Sequence, residues 1–124
     1  NVQGDEPFIE PELIAEPSCV MSSAMHRIEQ VNDLKNTNVV KVTVNNNREA
    51  LYFSRSIIPH HRDEWESLLN HHTTVPAGLN FYRHLGIYGY TKAFLLRFSN
   101  MQPSYLERLE KLEQLRVLEN GFSR

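Results

Sequence analysis

Cysteine is almost missing from this chain: Cys19 stands alone among 124 residues. One thiol cannot close an internal disulfide, which excludes a disulfide-stapled framework and suits a reducing cytoplasm. Set in the strand-like stretch Cys-Val-Met, Cys19 reads as a buried structural thiol rather than a nucleophile. A run of roughly eighteen apolar residues is lacking too, so no segment is built to span a bilayer. No signal-peptide pattern is read at the start, although a start lying inside a longer protein would hide one. An excess of charge of one sign is also missing. Thirteen Lys and Arg against fifteen Asp and Glu give a formal net charge of -2, and bulk electrostatics then offers no reason to expect a nucleic-acid partner. With 40% hydrophobic and 23% charged residues, the composition is ordinary for a globular protein and excludes the disordered class. Internal repeats are absent, and the length suits one domain around one core.

What the chain does contain is alternation of strand-like and helix-like segments. Val2 reads as the end of a strand halted by Gly4 and Pro7. Residues 11–16 open like a helix, with Pro11 tolerated in a first turn, yet Pro17 cuts that helix after little more than a turn. Residues 19–25 read as a strand and 28–34 as a short helix or loop. The clearest strand is 38–44, where Val40, Val42 and Val44 share one face and Lys41 and Thr43 the other. The Asn45-Asn46-Asn47 turn and the run 51–55 complete a hairpin over 39–55. Residues 60–80 are polar and suit a surface excursion. Residues 83–90 form another strand, and Thr91 is placed to cap a helix through Phe98. Ser104 and Glu107 have capping-box spacing at the head of a last helix, which Gly121 would end. This order suggests an α/β architecture.

The last helix carries a carboxylate in an unexpected place. At about 100° per residue, Leu106, Leu109, Leu112, Leu115 and Val117 fall on one arc, and Glu113 and Arg116 fall within it. A carboxylate on an apolar face must be paired, hydrogen-bonded or solvated by a cleft. Glu113 either pairs with Arg116 at helical contact spacing or faces a ligand pocket with Gln114 at its edge, and geometry alone favours the pair. Arg55, on one strand face with Phe53, is either a solvated charge or an anion-binding group. The pairs His60-His61 and His71-His72 fix no tetrahedral ligand set, and no second cysteine helps them toward a zinc site.

The stretches NVQGDEP (1–7), NVVKVTVN (38–45), ALYFSRSIIP (50–59), YRHLGIYGY (82–90) and LEKLEQLRVLENG (109–121) together resemble the 3-deoxy-manno-octulosonate (KDO) cytidylyltransferases. Five motifs in one order over most of the chain are far more specific than a lone glycine pattern. The resemblance implies a Rossmann-like nucleotidyltransferase fold with a mixed, mostly parallel sheet and flanking helices. It implies a cytoplasmic, homodimeric enzyme that joins CTP and KDO into CMP-KDO and pyrophosphate for lipopolysaccharide synthesis, with magnesium as cofactor. By the same resemblance Asp5 is the catalytic metal ligand, a hard oxygen donor, and Gly4 lets backbone and ligand approach closely. Gln3, Arg55, His84, Tyr88, Glu113 and Gln114 are the implied sugar contacts. A guanidinium fork at Arg55 suits a carboxylate, and under this resemblance Glu113 faces the sugar instead of Arg116.

The family's basic triphosphate loop, of the pattern P-A-R-x-x-S-x-R-L-P-G-K, is not in this sequence. Neither is the later G-V-D-T-like segment whose aspartate completes the metal site. Residues 1–124 are therefore expected to be a single cytidylyltransferase domain seen as its middle portion. The alternatives left open are a cytidylyltransferase for another sugar acid, of the sialic-acid type, and a non-catalytic sugar-binding or dimerising fragment.

Overall fold

The computed structural model describes residues 12–15 as backbone and residues 21–121, with residues 87, 88 and 90 as backbone only. Five strands form one sheet: β1 (Glu12–Ala15), β2 (Met21–Arg27), β3 (Lys41–Val44), β4 (Ala50–Ser54) and β5 (Tyr82–Tyr90). Their order is β1-β2-β5-β3-β4. Helices α1 (Val31–Lys35), α2 (Trp65–His71), α3 (Lys92–Ser99), α4 (Tyr105–Glu110) and α5 (Leu115–Glu119) accompany it. The α/β class is as expected, but the mostly parallel pairing is not what the described strands show. All four pairings among them are antiparallel. The connections explain two of these pairings. Residues 16–20 between β1 and β2 are too few for a parallel crossover, which needs a dozen or more, and β3 and β4 are joined by a tight turn.

That turn is built by Asn45. Its side-chain Oδ1 accepts from the backbone N–H of Asn47 at 2.9 Å and of Glu49 at 3.0 Å. Its backbone N–H reaches Glu49 O at 2.9 Å. The left-handed position falls on Arg48, with φ 63°, so the asparagines shape the turn through hydrogen bonds and not by taking the left-handed conformation themselves.

Four further expectations are corrected. Residues 12–15 are a strand and not part of a helix: Glu12–Ala15 pair with Ser22–Met25 of β2, because a one-turn helix closes too few bonds to compete with a ladder. The polar stretch 60–80 is more than an excursion. It contains α2, whose Leu68 is 1% exposed and closes a core with Ile28, Val31, Leu34, Val39, Val75 and Phe81. The last helix is two helices, α4 and α5, separated where Lys111 turns left-handed at φ 60°. Arg116 consequently pairs with Glu107 of α4, not with Glu113. The same break leaves Leu109 64% exposed, off the apolar arc that a continuous helix would have buried.

The expected hairpin, the strand over 83–90 and the helix capped by Thr91 are all present. Thr91 Oγ1 accepts from Phe94 N at 3.1 Å. One core lies between the sheet and the α4–α5 segment and comprises Met25, Val42, Ala50, Phe53, Leu112 and Leu115. A smaller cluster of Met21, Phe94 and Val117 seats α3 beside it. Each such fully buried large side chain contributes about 1.5–3 kcal/mol relative to exposure. This packing brings the turn between α4 and α5 against β5. The strand read at 19–25 is realised as β2, while Cys19 lies outside the described residues.

Candidate active site

The structure joins two of the candidate residues directly. Gln114, at the N-cap of α5, places its amide Nε2 3.3 Å from His84 Nδ1 on β5, 30 residues away in sequence. Ser23 on β2 lies on the other side of the ring, with Oγ 2.7 Å from His84 Nε2. The Ser23 hydroxyl donates to Leu85 O at 3.1 Å. The donor inventory then orders the chain of bonds. An amide NH2 can only donate, so Nδ1 is the accepting nitrogen. The ring proton sits on Nε2 and is given to Ser23, whose own proton goes to the Leu85 carbonyl. Phe53 meets the ring edge-on, with centroids 4.8 Å apart. Burial among these groups pulls the His84 pKa from 6.5 down to about 4, so the imidazole is neutral near pH 7. Both ring nitrogens are thereby engaged, so the ring is fixed in one orientation and holds the Gln114 amide in place.

Arg55 directly follows β4 and is held at every polar end. Its Nε donates to Glu110 O at 2.7 Å, Nη1 to Thr37 O at 3.1 Å and Nη2 to Lys111 O at 3.2 Å. Glu110 and Lys111 end α4, where unpaired carbonyls gather and favour a cation. Its backbone N–H donates to Glu110 Oε1 at 3.0 Å, and its carbonyl accepts from Lys41 Nζ at 3.1 Å. Of the five guanidinium N–H groups, these three bonds to carbonyls leave two for another partner. Carbonyl acceptors do not neutralise its charge, so Arg55 stays suited to an anion.

Lys41 escaped notice in the sequence because alternation placed it on a polar strand face. Its side chain is fully buried and bonds Asn36 O at 2.8 Å as well as Arg55 O. Burial first, then the neighbouring Arg83 cation, lowers its pKa to about 8. Glu110 was missed as well. It accepts from Ser54 Oγ at 2.8 Å, Tyr52 OH at 3.2 Å and Arg55 N. No spacing rule links a helix-end glutamate to a strand 55 residues earlier. Ser23 was invisible for the same reason, since its partner is set by sheet register.

Glu113 is exposed and lines a shallow groove of about 280 Å³ with Glu107, Arg108, Lys111 and Leu112. The structure does not join it to His84 by any hydrogen bond among the described residues. Tyr88 lies on β5, four residues beyond His84, with its backbone alone described. Gln3, Gly4 and Asp5 lie outside the described residues. Among the described residues no group of three or more His, Cys, Asp or Glu could hold a metal ion. His60 instead stacks on Trp65 at 4.2 Å, and His61 and His72 line a separate cavity of about 330 Å³ beside α2. No helix among the described residues is long and apolar enough to cross a membrane.

Residues 1–123 match the family model described as cytidylyltransferase. The chain is 48% identical over 130 aligned residues to the 3-deoxy-manno-octulosonate cytidylyltransferase of Geobacter metallireducens, covering 98% of this chain and 51% of that protein. It is 45% identical to the protein of the same name from Legionella pneumophila, covering 99% of this chain and 48% of that one. Among solved structures, a CMP:2-keto-3-deoxy-manno-octonic acid synthetase complexed with CTP superposes with a TM-score of 0.64. That match has 30% identity over 94% of this chain and 39% of the solved chain. The chain thus spans about half the length of the curated relatives it matches.

Proposed function

This chain belongs to the cytidylyltransferase family, and on that premise we propose that the full-length protein transfers the cytidylyl group of CTP to KDO. The anomeric 2-hydroxyl of the sugar attacks the α-phosphorus. The bond from that phosphorus to the β-phosphate oxygen breaks, and pyrophosphate leaves. The observation that carries this reading is the convergence of His84 and Gln114, drawn from two separate family-like motifs, into one bonded pair. Curated relatives of the same name support the choice of sugar.

In this reading His84 and Gln114 form the floor of the sugar-acid site, with Glu113 on the exposed turn beside them and Tyr88 further along β5. Arg55 offers its two remaining N–H groups to the sugar carboxylate. Gln3 meets the sugar from the preceding segment, and Gly4 lets backbone and ligand approach closely there. Asp5 is proposed to hold magnesium, for which a carboxylate is the fitting hard donor. When bound, that ion neutralises charge on the triphosphate. The protein's own contribution is to orient the hydroxyl and carboxylate, which is the principal need of a phosphoryl transfer. A cytoplasmic homodimer serving lipopolysaccharide synthesis is the setting that goes with this activity.

Full-length protein given CTP, KDO and magnesium should release pyrophosphate, followed by a coupled phosphatase assay. No release under conditions where an authentic enzyme turns over sinks the proposal. Preference for a nine-carbon sugar acid in direct competition would move it to the sialic-acid type. Asp5→Asn should cut turnover severely with circular dichroism unchanged.

A further inference from the structure

Helix α4 buries little: Tyr105 and Leu109 are both more than half exposed. Its two glutamates are nonetheless fully engaged. Glu107 and Glu110 are three residues apart, hence on one side of the helix, and each ties α4 to a different element. Glu107 receives Arg116 of α5 in a bidentate pair, Nε to Oε1 at 2.8 Å and Nη2 to Oε2 at 2.7 Å. The two side chains are 11% and 12% exposed. Arg116 is pinned further by Met101 O at 3.3 Å and by the Phe98 ring, 4.6 Å from its guanidinium carbon. Glu110 takes three donors from the β4 end, Tyr52 OH, Ser54 Oγ and Arg55 N. Between these anchors runs the turn that leaves α4 at left-handed Lys111 and delivers Gln114 to His84.

We infer that α4 is a brace, with Glu107 and Glu110 as positioning residues that hold the 111–114 turn so that Gln114 meets His84. No hydrogen bond among the described residues joins either carboxylate to His84 or Gln114. A helix of six residues is too short to be stable from its own bonds, so its contribution is the fixed geometry of the two links. The substrate side of the inference rests on the cytidylyl-transfer reading above, whereas the bracing itself does not.

The test uses full-length protein with Glu107→Gln, Glu110→Gln and Arg116→Lys, each close in shape to the residue it replaces. Amide hydrogen exchange at residues 111–115 should quicken about tenfold or more in each, with β2 and β5 amides unchanged. The KM for the sugar acid should rise about tenfold to a hundredfold, while the KM for CTP stays within about twofold. A role in bulk stability alone would instead lower the active fraction and leave both KM values in place, which overturns the positioning role. Unchanged exchange at 111–115 overturns the brace outright. Faster exchange in a protein whose wild type does not use the sugar acid upholds the brace and removes the substrate reading. Should Glu107→Gln fail to fold, half-buried Glu110→Gln carries the same measurements.

Discussion

His84 is held neutral by its surroundings, and that has a sign that can be worked out. Its pKa is about 4 in the folded protein against 6.5 for an unperturbed histidine. Between those values the unfolded chain binds a proton that the folded one refuses, so stability rises with pH through that window. Acidification from pH 6.5 toward 4 therefore erodes stability, by at most about 3 kcal/mol from this group. Chemical denaturation at stepwise pH should show that slope in the wild type and a shallower one in His84→Gln. Equal slopes would mean the ring titrates normally. A second single-residue expectation concerns Lys111, whose φ of 60° is a conformation that glycine adopts without a Cβ clash. Lys111→Gly should raise stability by about 0.5–1 kcal/mol, net of the extra freedom glycine gives the unfolded chain. A lower denaturation midpoint in that variant would contradict it.

Elements were legible in the sequence where local chemistry decides them. The β3–β4 hairpin follows from valine alternation and an asparagine turn, and α3 from a threonine cap. Thr91→Ala should accordingly cost about 1 kcal/mol, read as a fall in the midpoint of thermal unfolding. Elements were illegible where a partner distant in sequence decides them. Glu12–Ala15 carries a helix-like pattern but becomes a strand because β2 offers a ladder. Helix α2 has seven residues and a single buried one, Leu68, too few to show a period. The α4–α5 break is the most instructive case. Leu106, Leu109, Leu112 and Leu115 fit one continuous helix, yet Arg116 finds its partner nine residues back, across the break. Periodicity cannot show that a bidentate pair at 107 and 116 outweighs a helical pair at 113 and 116. The site divides in the same way. His84 and Gln114 are candidates by family resemblance, whereas Ser23 and Glu110 owe their places to sheet register and to a tertiary contact.

At the scale of the molecule, two large apolar clusters sit apart and only one adjoins the candidate site. Leu115, fully buried, follows Gln114 directly and packs with Phe53, Met25 and Val42, so the residue that seats α5 on the sheet also seats the amide on His84. Leu68 belongs to the other cluster, with Ile28, Leu34 and Phe81, none of them a candidate site residue. Truncating either leucine removes the same atoms from a buried position, and each change should cost about 2–5 kcal/mol. Stability alone cannot tell them apart. Function should: Leu115→Ala shifts the turn and raises the KM for the sugar acid, while Leu68→Ala unfolds more readily but binds the sugar acid normally when folded. Distant sites without shared partners are expected to act independently, so the double variant should show the summed loss of stability with the KM of Leu115→Ala alone. Denaturant midpoints and sugar-acid KM, measured at a temperature where every variant stays folded, decide it. A KM that tracks stability in both single variants would mean that the two clusters form one cooperative body and that the site has no local support of its own.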